Sequence, residues 1–147
     1  MTLKNIIQPA HAPLNKYELI VVGLPPVVFT QVAGIEQETQ KVTLPDRTSV
    51  SGGQMDPFEI VAQLPLHHVS EVAAIELWYK ESHDPVTATY KKTGTMIYKS
   101  IEDTVVKSYS LLGMWISRVK YPDADMANEG EAGYLEVTFT VDDYEIL

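Results

Sequence analysis

The sequence of 147 residues contains no cysteine, which excludes disulfide bonds, thiolate metal sites and cysteine nucleophiles. It also has no long apolar run. The longest, from Leu19 to Phe29, is too short to span a bilayer and is interrupted by Pro25 and Pro26. The first twelve residues lack the continuous apolar segment of a signal peptide. We therefore expect neither insertion into a membrane nor secretion by a signal peptide.

Positive charge is absent from the last part of the chain. Residues 1–120 hold 12 acids and 11 bases, whereas residues 121–147 hold eight acids and no base. The formal net charge is −9. Proteins that bind nucleic acids need clustered Lys and Arg to displace counterions from phosphates. The sequence therefore predicts no specific binding of nucleic acid, and solubility is the simplest role for the surplus of acid.

Motifs that carry catalysis or bind metals are also absent. The chain has no G-x-S-x-G, no G-x-G-x-x-G and no Walker A sequence. The acidic segment that begins at Asp123 departs from the calcium-loop pattern at three positions. The chain has four histidines, and none of them has the spacing of zinc ligands: His11, His67, His68 and His83. We predict no catalytic residue, no metal site and no cofactor, and we expect that the protein is not an enzyme.

What the sequence does contain is a period-two pattern that predicts strands. In Tyr134–Val141 the apolar residues Leu135, Val137 and Phe139 alternate with polar ones, which is typical of a half-buried strand. Two further predicted strands, Tyr17–Val22 and Val27–Ala33, are rich in β-branched and aromatic residues. The other predicted strands are the mostly polar Ile35–Leu44, then Phe58–Leu64, Thr95–Lys99 and Thr104–Val119.

One helix and one long loop complete the predicted order. An apolar stripe over Ser70–His83 indicates a helix, with Ser70 as its N-cap and Pro85 beyond its end. The segment Asp46–Pro57, which contains Gly52 and Gly53, is predicted to be an exposed loop. The sequence therefore predicts one domain over residues 1–147. Its fold class is mainly β, an antiparallel β-barrel or sandwich with one flanking α-helix.

Two predicted strands are unusual for a monomer. Leu111–Ile116 is apolar on both faces, whereas Glu36–Lys41 is polar on both faces. An antiparallel strand of a small sheet normally keeps one face polar. The apolar strand needs a second layer, which is either the chain's own helix or a neighbouring subunit. The polar strand is either solvated on both faces or pairs with another chain.

Several segments together resemble the tail tube proteins of contractile bacteriophage tails, R-type pyocins and extracellular injection systems. The pattern F-x-x-V-x-G over Phe29–Gly34 is similar to an early strand of that family, and a polar strand follows it. The helix that ends in Leu77–Tyr79, the strand Lys107–Trp115 and the last segment Leu135–Tyr144 then follow in the family's order.

The resemblance implies a structural role. Members form hexameric rings that stack into a hollow tube. We therefore expect a phage tail tube subunit whose partners are further copies of itself, the tail sheath, the baseplate and the tape measure protein. Viral DNA would pass through the channel during ejection without specific binding. The resemblance also implies a location in the virion tail, with assembly in the host cytoplasm.

Alternatives of two kinds remain open at this stage. Within the structural class, the chain could be a tube-like baseplate or terminator protein, or a secretion-system tube subunit. In another class, a carbohydrate-binding β-module would use Trp78 and Trp115 as an exposed platform. Both tryptophans lie within or beside apolar runs, which favours packing over a platform.

The acidic bias leads to a hypothesis about the channel of such a tube. Acidic side chains that line a bore would repel phosphate over roughly 8–10 Å at physiological salt. We predict that Glu36, Glu38 and Glu136 face the lumen, because they occupy polar positions of predicted strands. The loop Asp46–Pro57 is expected to contact neighbouring rings, since a polar loop of this length usually has a task.

Overall fold

The computed structural model describes residues 11–84, 86, 90–124, 126–127 and 132–147. These residues form nine strands and one helix. In chain order the elements are β1 Tyr17–Val21, β2 Gln31–Val32, β3 Thr39–Thr43, β4 Ser49–Met55, β5 Phe58–Pro65, α1 Val69–Ser82, β6 Lys92–Lys99, β7 Val105–Lys120, β8 Tyr134–Val141 and β9 Asp143–Ile146.

Seven strands form one antiparallel sheet with the order β1-β6-β7-β8-β5-β2, and β9 also pairs with β7. The remaining two strands, β3 and β4, form a separate antiparallel sheet. The prediction of a mainly β, antiparallel fold with a flanking helix is confirmed. Within the described residues the strand path is open from β1 to β2, so the sheet does not close into a barrel.

The long strand β7 organises the sheet because it pairs along most of its length. It pairs with β6 from Val105 to Met114, and on its other side with β9 and then with β8. Across the junction of β8 and β9 the register is continuous, which places Gly113 of β7 opposite Asp142. The two short partners therefore act as one strand with a break at Asp142.

The core lies between the sheet and α1. The alternation predicted for β8 is confirmed, because Leu135, Val137, Phe139 and Val141 are fully buried. The indole of Trp78 on α1 packs against Phe139, with 5.5 Å between ring centroids. On the other face of β8, Thr138 is also buried, so this face is less open than the pattern predicts.

The segment Leu111–Ile116 of β7, which is apolar on both faces, is buried only in part. Leu111, Met114 and Ile116 are buried, whereas Leu112 and Trp115 are half-buried. Leu111 and Met114 both reach the core because the pairing with β6 shifts register between Lys92 and Gly94, and such an irregularity re-aims side chains.

The helix is displaced by one residue from the predicted Ser70–His83. Its N-cap is His68 and not Ser70, and no side chain caps its first backbone N–H groups. The helix buries Val72, Ile75 and Trp78 against the sheet. Pro85, which was expected to end the helix, lies outside the described residues.

The exposure predicted for the segment from 46 to 57 is confirmed for Ser49–Met55, but the prediction that this segment is a loop was wrong. Ser49–Met55 forms β4, which pairs with β3. Gly52 and Gly53 do not mark a loop. They accommodate a register shift, since Gly53 has a φ of 77° and a Cβ at Gly52 would lie 3.1 Å from the carbonyl oxygen of Gln40.

Three other boundaries differ from the predictions. Within the predicted strand Val27–Ala33, only Gln31–Val32 pairs as a strand, and the predicted strand Ile35–Leu44 begins at Thr39. The acidic end of the chain forms β9, whose pairing with β7 was not predicted. No helix among the described residues is long and apolar enough to cross a bilayer.

Candidate assembly surfaces

The hairpin formed by β3 and β4 is the most exposed regular structure of the chain. Every residue of both strands is exposed. Val42 and Val50 lie directly opposite each other across the hairpin and are 48% and 43% exposed. An isolated two-stranded hairpin is at best marginally stable in water. The hairpin therefore presents an apolar cross-strand pair that is nearly half exposed among the described residues.

The tip of this hairpin has a defined hydrogen-bonded structure. Leu44 N donates to Thr48 O at 2.8 Å, and Arg47 N donates to Leu44 O at 2.9 Å. A carboxylate oxygen of Asp46 accepts from the hydroxyl and the backbone N–H of Thr48. These hydrogen bonds to Thr48 lower the pKa of Asp46. The tip is thus pre-organised, which reduces the entropic cost of binding a partner.

The base of the hairpin is tied to the chain by amide side chains. Nε2 of Gln37 donates to the carbonyl oxygen of Asp56 at 3.0 Å, and Nε2 of Gln40 donates to its Oδ1 at 3.1 Å. The backbone N–H of Asp56 donates to the carbonyl oxygen of Glu38 at 3.1 Å. These contacts hold the two legs of the hairpin together where it leaves the sheet.

The seven-stranded sheet has an open edge along β1. The N–H of Lys99 donates to Lys16 O and the N–H of Val22 donates to Thr93 O, so positions 16 and 22 bond toward β6. Backbone groups of successive residues point to alternate sides of a strand. Tyr17 and Leu19 therefore present their N–H and C=O groups to the outer side, where no described strand pairs with them.

An apolar cleft of about 240 Å³ lies beside this open edge. Its walls are residues 17–21 of β1 and residues 24–29 of the segment that follows. Both ends are tied by hydrogen bonds, from the hydroxyl of Tyr17 to Phe29 O and from Leu24 N to Val21 O. Burial raises the pKa of the Tyr17 phenol. The cleft was not predicted, although the apolar run Leu19–Phe29 supplies its lining.

The structure places the three candidate lumen residues in two separate locations. Glu36 and Glu38 are exposed and flank Gln37 at the base of the hairpin. Glu136 is half-buried on β8, opposite Gln63 of β5 and Lys120 of β7. Since Gln63 lies near the end of β5 farther from the hairpin base, the two locations are about 20 Å apart along that strand. They do not form one acidic cluster.

The aromatic residues considered for a ligand platform are packed against other rings. Trp78 is 1% exposed and its Nε1 donates to Tyr90 O at 2.7 Å. Trp115 is half-buried and meets the ring of Tyr90 edge-on at 6.0 Å. No group of three or more acidic or histidine side chains able to hold a metal is found in the described part of the chain. The packing predicted for Trp78 is confirmed.

Comparison of the sequence with known proteins finds no matching family model and no similar curated protein. Comparison of the structure finds chains of contractile injection systems. One belongs to the sheath–tube complex of the extracellular contractile injection system PVC in its extended state. It has a TM-score of 0.72 and 14% identity, over 93% of this chain and 91% of that chain.

Two further structures resemble the chain over nearly all of its length. The PVC sheath/tube terminator has a TM-score of 0.75 and 14% identity, over 97% of this chain and 99% of that chain. The tube-terminating cap of the anti-feeding prophage has a TM-score of 0.68 and 18% identity, over 100% and 99%. At these identities the similarity establishes the fold. The chain has the tail-tube-like fold found in tube assemblies, terminators and caps of contractile injection systems.

Proposed function

We propose that this chain is the tube subunit of a contractile phage tail, which forms hexameric rings stacked around a channel. The observation that carries the proposal is that two different surfaces are exposed, the outer edge of β1 and the β3–β4 hairpin. No described strand pairs with the outer side of β1, and the hairpin leaves the chain between β2 and β5. When one surface of a subunit binds a different surface of the next copy, the contact generates rings or filaments of identical subunits.

A structural and not a catalytic role agrees with the site chemistry. The described residues contain no metal-binding cluster, and the apolar cleft is lined almost entirely by hydrophobic side chains and prolines. Tube, terminator and cap assemblies with this fold are structural parts of their particles.

In the proposed tube, DNA passes through the channel without being held, and Glu36, Glu38 and Glu136 face the bore. Support comes from the exposure of Glu36 and Glu38 and from the position of Glu136 on the sheet face turned away from the core. The outer partners of the tube would be a sheath and a baseplate, with a tape measure protein in the channel during assembly. The assembled particle would be a virion tail built in the host cytoplasm.

The experiment that tests the proposal is electron microscopy and light scattering of the purified protein over a range of concentrations. We expect hexameric rings and stacked tubes, and a protein that stays monomeric at high concentration would contradict the proposal.

A second experiment shortens the hairpin. In a variant with Val42–Val50 replaced by Asn-Gly, a two-residue turn closes the shortened hairpin. Circular dichroism should then retain the sheet while tubes shorten or disappear. The control variant Leu77→Ser removes an apolar side chain of α1 that is more exposed than either valine, and it should leave tube length unchanged.

A second candidate is a terminator, because the terminator and cap structures match the chain as fully as the tube assembly does. The two roles differ in growth. A tube subunit adds ring upon ring as its concentration rises, whereas a terminator stops at a single ring unless a tube is present. Tube length against concentration therefore separates the two roles.

A further inference from the structure

The apolar pair on the hairpin and the apolar cleft beside β1 have matching chemistry. Val42 and Val50 project from one face of the hairpin as a compact group of six side-chain carbons. We call this group the valine knob. A cleft of about 240 Å³ corresponds to the volume of roughly eight water molecules. The cleft therefore has room for several water-sized groups and can admit the small apolar side chains of the knob.

The cleft also offers backbone hydrogen bonds to an extended segment. Tyr17 and Leu19 direct their N–H and C=O groups to the open side of β1. An extended chain laid along such an edge gains main-chain hydrogen bonds, and apolar pockets beside the edge select its side chains. The opposite wall contains Pro25 and Pro26, whose fixed backbone angles keep it rigid.

We propose that the valine knob of one copy inserts into the β1 cleft of a second copy. The edge of the inserted hairpin then pairs with the backbone of Tyr17 and Leu19. This inference rests on the proposed tube function and identifies the receptor of the hairpin. An isolated hairpin needs a packing partner to be stable, and the cleft supplies an apolar surface with room for the valine knob.

The position of the two surfaces determines the symmetry of the contact. In the sheet order β1 and β2 are the two ends, and the hairpin leaves the chain between β2 and β5. Knob and cleft are different surfaces of one chain, so each copy can donate its knob to one neighbour while it receives the knob of another. Such a heterologous contact does not stop at a dimer.

Disulfide trapping tests this contact directly, because the chain has no native cysteine. One preparation carries Val50→Cys in the knob. A second, enlarged by a fusion tag, carries Val28→Cys, an exposed residue at the rim of the cleft. Oxidation of the mixture should give the mixed dimer as the main product, at least fivefold above either homodimer. The matched control replaces Val28→Cys by Leu77→Cys on α1, which is similarly exposed.

The outcomes separate this inference from the proposed function. Rings or tubes seen by electron microscopy in the mixture, with no more mixed dimer than in the Leu77→Cys control, would overturn the docking and leave the tube function standing. A dominant dimer through Val50→Cys alone would overturn it as well, because the hairpins would then contact each other. A mixture that contains neither oligomers nor mixed dimers would overturn both.

A second test removes the apolar character of the knob while keeping its shape. The double variant Val42→Thr and Val50→Thr retains β-branched side chains that favour a strand. Because both positions are exposed in the monomer, the thermal unfolding midpoint should stay within a few degrees. The concentration needed for half-maximal assembly should rise at least tenfold. Unchanged assembly would overturn the insertion of the knob.

Discussion

Gly113 and Asp142 lie opposite each other where β8 passes into β9, and the side chain of Asp142 occupies the space that a Cβ at position 113 would need. Gly113 has a φ of 65°, in the left-handed region that favours glycine. The carboxylate of Asp142 binds Nζ of Lys91 at 2.7 Å, and the backbone N–H of Asp142 donates to Leu112 O. Glycine at position 113 therefore makes room for the link between β8 and β9.

The variant Gly113→Ala should lower the free energy of unfolding by at least about 2 kcal/mol, because it combines backbone strain with displacement of Asp142. Urea denaturation measures the change. Gly53→Ala is a matched control, since Gly53 also has a positive φ but no neighbour within 4 Å of its Cβ position, and it should cost about 1 kcal/mol. Equal costs for the two variants would show that the contact with Asp142 contributes nothing.

This relationship also shows what a sequence can and cannot predict here. The strand β8 and its core face were predictable, because Leu135, Val137 and Phe139 follow a strict period of two. The pairing of Asp142 with Gly113 was not, because it depends on a register set over a separation of 29 residues. Two adjacent acidic residues, such as Asp142 and Asp143, do not indicate in the sequence which distant residue they contact.

The hairpin and the cleft were missed for a similar physical reason. Gly52 and Gly53 indicate a loop by composition, and only pairing with β3 reveals that they accommodate a register shift. The cross-strand relation of Val42 and Val50 around the turn at Asp46 was a signal that could have predicted the hairpin. The cleft depends on how residues 24–29 return past β1, which local patterns do not encode.

The indole of Trp78 should be a strong determinant of stability. Replacing it in the variant Trp78→Phe keeps an aromatic ring against Phe139 but leaves Tyr90 O without the donor that it has at 2.7 Å. An acceptor that loses its donor at this partly buried position costs about 1 kcal/mol, and the smaller ring leaves a cavity as well. We expect the urea midpoint to fall accordingly. Trp115→Phe, at a half-buried position, should cost clearly less.

Stability should fall at alkaline pH through Tyr98. Burial, reinforced by the nearby Tyr109, raises the pKa of the Tyr98 phenol above its ordinary value of 10.0. A group whose folded pKa is raised contributes its full stability below the unfolded pKa and loses it as pH rises through the folded pKa. The free energy of unfolding should therefore decrease above about pH 10.

The variant Tyr98→Phe should show a smaller decrease over the same range, measured by urea denaturation between pH 8 and pH 11. Lys91, whose pKa is raised by its hydrogen bond to Asp142, contributes to the loss in this range but is present in both proteins. The difference between the two curves therefore belongs to Tyr98. Parallel curves would contradict the assignment.

Reversal of the proposed bore charge should convert a passive channel into one that holds DNA. Glu36 and Glu38 are both exposed beside the hairpin base, so the double variant Glu36→Lys and Glu38→Lys should leave the fold intact. Each lysine that faces the bore adds a phosphate contact, and each contact adds roughly −0.9 to the slope of log K against log salt. Repeated around every ring, these contacts should retain DNA at low salt and release it at high salt.

Ejection of DNA from particles that carry this tube should then slow at low salt and recover toward 200 mM salt. The variant Glu36→Gln and Glu38→Gln separates lost repulsion from gained attraction, and it should slow ejection little because it adds no phosphate contact. Glu136→Lys is tested alone, because Glu136 lies opposite Lys120 on a different part of the sheet. Normal ejection by the double lysine variant at low salt would mean that Glu36 and Glu38 do not face the DNA. If DNA is retained only by particles with Glu136→Lys, the face of β8 that carries Glu136 lines the bore instead.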